Sequence, residues 1–389
     1  MKIAVIHLNL SLQTGDPRMT YLLASNIQKA GHHVVIYTAK YDPLCFPELH
    51  QDLVVKEIKS PIGDTVLDRS AFQKVVERLR RERLNTEAVK KIASAMDRDF
   101  DIVIPENDQS YKLGKFYRAF NPKAKFIWVM NNAPFRHTPK NNSIVNILSW
   151  MAGRMERVRV RYYISLITKV VVHDEEQKIL AKEIGLDTQL LPIPINFEKF
   201  YRPVSYPGHD TPTLLGVGSL SPARSYEDII SAGILLRKKG IDCRVVLICK
   251  DIWKDAALRK KLIDLSRTQE DGSWIDFRFD GVSDEELFKM QAVSFAFIFP
   301  NHIKIWGMAA FEGMAAGLPL IVSDSTSVAE VLKDGDNALF VRSSHPEEIA
   351  AKVSSLFDQK IYESIARNGQ DFVKKNLNWG EYITNFLKI

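Results

Sequence analysis

Short apolar, β-branched runs that alternate with amphipathic stretches, in two successive series, constrain this chain more than any other feature. KIAVIHL, HHVVIYTA, FDIVIP, KFIWVMN and KVVVHD make the first series; TLLGVGSL, CRVVLICK, FAFIFP and PLIVSD make the second. Strands that read as continuous apolar runs are buried on both faces by the helices between them, so each series predicts a parallel α/β sheet. The 389 residues exceed the roughly 250–300 at which a single core stops growing, which suits two such sheets. Between them FEKFYRPVSYPGHDTP carries three prolines and no periodicity, and is expected to be the linker. The expected division is an N-terminal lobe over residues 1–196, a C-terminal lobe over 205–372 and a last amphipathic helix within 373–389. Ligands of such sheets bind beyond the carboxyl ends of the strands, so the loops after these runs are where chemistry is expected.

With 46% hydrophobic and 26% charged residues, disorder is excluded. MKIAVIHLNL reads as a first strand and not as a signal peptide, and no apolar run approaches the ~20 residues of a spanning helix. Cys45, Cys243 and Cys249 are scattered without metal-ligand spacing, which fits a reducing compartment. A cytoplasmic protein, soluble or peripheral on the membrane face, is expected. The formal charge of +6 favours anionic partners, but no basic and aromatic module of nucleic-acid type is present. Two arginine-rich segments, AFQKVVERLRRERLNTEAVKKIA and WMAGRMERVRVRYYI, read either as ordinary helices with a solvated or core-facing side, or as contacts with an anionic leaflet.

In NHIKIWGMAAFEGMAAGLPLIVSD a glycine opens a helix. A helix N-terminus offers unpaired N–H groups and about half a positive charge, so Gly307, Met308 and Ala309 are expected to form an anion site. Glu312, one turn further in, has the geometry to accept two hydrogen bonds from vicinal ribose hydroxyls. Small residues here also suit a helix packed tightly between layers.

Glu312, Met314, Ala315, Gly317, Pro319, Ser323, Asp324, Glu330, Asp334, Gly335 and Asn337 fall in register with EAMAxGxPVIxSD and ExxxDGxNGxLV. In these residues the chain resembles the GT-B family of retaining glycosyltransferases, glycosyltransferase family four, which includes mannosyl- and glucosyltransferases. GVGSLSPARSYEDIISAGILLRKKG is similar to that family's strand, phosphate-binding loop and helix, and RFDGVSDEELFKMQAVSFAFIFP to its approach to the site. The resemblance implies two Rossmann-like lobes facing a cleft, a C-terminal helix crossing back to the first lobe, and transfer of a hexose from a nucleotide-diphosphate sugar to a glycan or lipid-linked acceptor. It implies retention of anomeric configuration, no metal and no further cofactor. On the donor side it points to Gly218, Ser219, Val282, Lys304, Gly307, Met308, Ala309 and Glu312, with Arg224 and Glu312 as catalytic groups. On the acceptor side it points to Gly15, Asp16 and Asn132, although Gly15 and Asp16 also suit a plain turn.

Three departures matter. Lys304 stands eight positions before Glu312, where relatives carry a glutamate. It reads as a partner for a donor carboxylate, as a ligand for the β-phosphate, or as a solvated loop lysine. Ser219 and Arg224 stand where relatives have arginine and lysine, so one cation is kept and one is missing. Asn131 and Asn132 replace a His-Asp pair, His137 follows several residues on, and no catalytic base is named there. These departures leave a catalytically silent nucleotide- or glycan-binding protein as the alternative.

Overall fold

The computed structural model describes all residues except 64–70, 107–108, 132, 134–142, 165, 209–210 and 269–271, together with the side chains at 71–76, 78, 143–146, 148–149 and 152. The chain divides into two compact units, Met1–Pro192 with Ile383–Ile389, and Ile193–Tyr382.

In the first unit β1 (Lys2–Ile6), α1 (Gly15–Lys29), β2 (His33–Thr38), β3 (Val54–Glu57), α2 (Ala71–Ala95), β4 (Ile102–Pro105), β5 (Lys125–Val129), α3 (Ser143–Ile164), β6 (Lys169–Val172), α4 (Glu175–Glu183) and β7 (Thr188–Leu190) follow in order. These seven strands form one sheet, β3-β2-β1-β4-β5-β6-β7, with every pairing parallel, and Asn9–Leu10 pairs with Lys40–Tyr41 in a separate two-stranded ladder. Side chains of the central strands alternate between two cores, as a parallel sheet covered on both faces requires. Phe126 packs with Val103 and Val35, while Trp128 packs with Val170 and Tyr111.

The second unit runs β8 (Thr213–Ser219), α5 (Tyr226–Lys238), β9 (Arg244–Lys250), α6 (Ala256–Ser266), β10 (Ile275–Phe277), α7 (Asp284–Val293), β11 (Ala296–Phe299), α8 (Met308–Ala315), β12 (Leu320–Ser323), β13 (Leu339–Val341), α9 (Pro346–Ser355) and α10 (Gln359–Asn376), followed by α11 (Trp379–Leu387). Its sheet has the order β10-β9-β8-β11-β12-β13, again parallel throughout. Leu214 and Ile298 point to one core, Leu215, Phe297 and Phe299 to the other.

The expected linker is corrected in its first part. Phe197 and Phe200 are the first and last residues of a short helix and are buried in one core with Phe297 and Phe311, so the segment is anchored in the second unit. Two aromatic side chains three residues apart outweigh the proline content, because each buries a large apolar area.

Candidate functional site

The second unit's chain leaves β8 toward one edge of the sheet and returns at β11 to run toward the other. The switch point between these two strands is where an open α/β sheet binds ligands. Gly218 and Ser219 end β8, and a 3-10 turn over Pro222–Arg224, capped by the Ser221 side chain, follows. Ser225 then starts α5 in the left-handed region at φ 49°, an uncommon conformation for a non-glycine residue. Its Oγ lies 2.9 Å from His302 Nδ1, and His302 N–H donates to the Ala223 carbonyl at 3.4 Å. These bonds tie the loop after β8 to the loop after β11.

Arg224 is half-buried and makes no ion pair among the described residues. Its guanidinium lies 5.7 Å from the centroid of the Phe299 ring and over Gly218, where an added Cβ would come within 3.2 Å of its Cζ and Nε. Burial pushes the pKa of Arg224 down, opposed by the neighbouring Tyr226. A guanidinium keeps its proton all the same, so the compensating group this position calls for is an anion.

Gly307 caps α8, as the sequence predicts, and no side chain caps that end, which leaves its first amides to a ligand. The packing at this position by itself calls for glycine. An added Cβ at 307 would overlap the Phe299 ring, the same ring that carries Arg224. Gly307→Ala is therefore expected to lower stability by about 1–3 kcal/mol through overpacking. Thermal denaturation checks this: an unchanged Tm with lost nucleotide affinity would return the glycine to the phosphate. Met308 and Ala309 follow in the first turn, half-buried, and Glu312 is only 5% exposed one turn on.

Much of the matched motif turns out to be architecture. Leu318 N–H donates to the Gly313 carbonyl and Gly317 N–H to that of Met314, with Gly317 at φ 78°, so α8 closes in a paired 6→1 and 5→2 turn that glycine favours. Met314 and Ala315 are core residues. Asn337 Oδ1 accepts from Lys333 N–H at 2.7 Å, Asp334 Oδ1 from Phe340 N–H at 2.8 Å, and Gly335 turns at φ 72°. Ser323 bonds Ser343 at 2.8 Å and bears the turn that leads to Glu330.

Lys304 sits in the loop after β11, with Nζ 2.7 Å from Glu330 Oε1. The lysine that replaces a glutamate thus meets a carboxylate of the chain itself. A partly exposed pair of this kind contributes about 0.2–1 kcal/mol, little enough for a ligand anion to displace. Val282, half-buried just before α7, packs against the core that carries α8. Asn301 carried no signal in the sequence: it is 1% exposed, and its Nδ2 finds no acceptor among the described residues.

The first unit holds a second polar cluster at its own switch point, between β1 and β4. Gly15 and Asp16 open α1, and burial pushes the Asp16 carboxyl up. Asn132 and His137 lie outside the described residues. Glu106, directly after β4, is fully buried; burial, reinforced by Asp16, pushes its pKa up to about 8, against the lowering effect of Thr20 and Asn131. His173 Nδ1 lies 2.9 Å from the Leu191 carbonyl and its Nε2 3.0 Å from Asn131 Oδ1, while Asn131 Nδ2 lies 3.2 Å from Glu106 Oε1. Burial lowers the pKa of His173, so the ring is neutral at pH 7 and its one proton sits on Nδ1, facing the carbonyl. Its Nε2 then needs a donor. With the Asn131 amide turned over, NH2 donates to His173 and a protonated Glu106 donates through Oε1 to the amide oxygen, which satisfies the ring and the amide oxygen, while Glu106 Oε2 has no hydrogen-bond partner among the described residues. The signals for this cluster were the polar residues that directly follow the buried runs, PEN after FDIVI and HD after KVVV.

Residues 198–372 match the model of the family described as glycosyl transferases group 1. An uncharacterized glycosyltransferase of Methanocaldococcus jannaschii is 27% identical over 164 residues, covering 40% of this chain and 46% of that protein. The chain thus spans under half the length of the curated relatives it matches. Among solved structures, the sucrose-phosphate synthase of Thermosynechococcus elongatus superposes with a TM-score of 0.77 at 17% identity, over 100% of this chain and 98% of that one. The Anabaena protein HepE, solved with UDP and glucose, gives 0.75 at 11% identity over 100% and 98%. The chain has the α/β fold of the GT-B glycosyltransferases, and its second unit carries the match to glycosyl transferases group 1.

Proposed function

We propose that this protein is a retaining hexosyltransferase that takes a sugar from a nucleotide diphosphate and passes it to a glycan or lipid-linked acceptor. The observation that carries the reading is the Phe299 ring, which neighbours both the half-buried Arg224 guanidinium, without an ion pair among the described residues, and the uncapped start of α8. Breaking an anomeric carbon–oxygen bond builds negative charge on the departing diphosphate, and preorganised cations and amides are the groups that lower such a barrier. Arg224 and the amides of Met308 and Ala309 face that charge in this reading; Glu312 holds the ribose, Gly218, Ser219 and Val282 border the nucleotide, and Lys304 changes hands from Glu330 to the donor. Solved neighbours that hold UDP support a nucleotide-sugar donor. Gly15, Asp16 and Asn132 are proposed to border the acceptor.

Because fixed cations supply the charge, transfer is expected to need no divalent metal. The test is a screen of purified protein against UDP- and GDP-linked neutral hexoses and uronic acids, with and without EDTA. Transfer with net retention, unaffected by EDTA and abolished in Glu312→Ala, supports the reading. No turnover of any donor, or loss with EDTA and recovery with manganese, overturns it.

A further inference from the structure

We propose that α3 is the surface by which this protein lies on an anionic phospholipid bilayer. The inference goes beyond the donor chemistry and does not depend on it.

Of the two arginine-rich helices, α2 exposes one large apolar side chain among the described residues, Leu79. Helix α3 differs. Ile147, Trp150, Met151, Met155, Val158 and Tyr162 are each about half exposed or more, with Val158 at 68%. At ~100° per residue these positions fall on one arc of the helix, while Glu156, Val160 and Ile164 lie on the opposite, buried arc. The stripe is about 22 Å long, from the helical rise of ~1.5 Å per residue. A continuous apolar stripe on a folded surface marks contact with another phase or partner.

The edge of the stripe identifies that phase. At the same ~100° per residue, Arg154 and Arg161 fall between Trp150 and Ile147 within this arc, and Arg157 lies just beyond its Trp150 edge. The Arg154 guanidinium lies 5.1 Å from the Trp150 ring, Arg157 pairs with Glu183 at 2.9 Å, and Arg161 donates to the Glu183 and Ile184 carbonyls at 3.2 and 3.3 Å. They line a cavity of about 370 Å³ between α3 and the end of α4. Lys115 lies over the Tyr162 ring at the far end. Four cations against one exposed carboxylate leave the rim positive, so two copies stacked stripe to stripe would set like charges together. An anionic bilayer matches both parts: acyl chains take the Met and Val side chains, Trp150 and Tyr162 suit the headgroup level, and the arginine cavity suits a lipid phosphate. No described helix is long and apolar enough to cross a membrane, so α3 lies on the surface.

The test is flotation of the full chain with vesicles of pure phosphatidylcholine and of phosphatidylcholine with phosphatidylglycerol, without sugar nucleotide or acceptor. Binding is expected only to the anionic vesicles, weaker by about ten-fold at high salt and in Arg154→Glu, and lost in Met155→Glu/Val158→Glu. Both sites are exposed, so the double variant is expected to keep its Tm; if it does not, Arg154→Glu and the salt series decide. Equal flotation with neutral vesicles, no flotation, or wild-type binding by the variants overturns the proposal. A wild-type dimer that these substitutions turn into a monomer assigns the stripe to a second copy and also overturns it. Sugar transfer to a soluble acceptor is untouched by either result, so failure here is distinct from failure of the donor reading.

Discussion

Arg224→Ala is expected to lower kcat for sugar transfer by about 10²–10³-fold, the cost of removing one preorganised charge-stabilising group. The effect falls on kcat because the guanidinium meets its full opposing charge only as the diphosphate leaves. Arg224→Lys should recover part of the rate, since a lysine keeps the charge but not the planar fork that binds two phosphate oxygens. Stability should move the other way. The guanidinium is half-buried without a carboxylate partner among the described residues, so its removal relieves a desolvation cost, and Tm should hold or rise. A structural arginine would behave oppositely, with Tm falling together with activity. A variant that keeps wild-type kcat would sink the catalytic assignment.

The second large effect concerns Glu106. Its folded pKa is raised to about 8, whereas an unfolded chain ionises the group near 4.5. Below the lower value both states hold the proton and pH has no leverage. Between the two values the unfolded chain releases a proton that the folded chain keeps, so stability falls as pH rises and levels off above about 8. Each step of one pH across that window costs about 1.4 kcal/mol, so the whole loss amounts to several kcal/mol. Glu106→Gln keeps a neutral donor toward Asn131 and removes the titration. The variant is expected to gain Tm over wild type progressively from pH 5 to pH 8, read by calorimetry in matched buffers. Parallel pH profiles for the two proteins would show that Glu106 is ionised in the fold, and the amide orientation argued for Asn131 would fall with it. A buried neutral acid beside Asp16 at a strand end is also where a proton-transfer group is expected, which makes the variant informative for activity.

Legibility in the sequence followed burial. All nine apolar runs became strands, and they occupy interior positions of the two sheets. In these two sheets the strands that the runs did not announce, Val54–Glu57, Thr188–Leu190, Ile275–Phe277 and Leu339–Val341, are the four edges. An interior strand is apolar on both faces and reads as a block, whereas VVKE at an edge alternates between half-buried and exposed positions and gives no block.

The donor-side residues show the same division. From the sequence alone came the α/β class, the helix that starts at Gly307, the motif through Asn337 and the departures at Lys304 and Ser219, because these depend on residue type and fixed spacing along the chain. Spacing cannot say which motif residues are scaffold. Only the tertiary structure set Gly307 against Phe299, gave Asp334, Gly335 and Asn337 to a turn, and paired Lys304 with Glu330 across 26 positions of chain. It also drew Glu106, Asn131 and His173 from three separate strand ends into one cluster. Local pattern determines which elements form, whereas charge pairing, desolvation and close packing act between elements, and they take values only once the chain has brought those elements together.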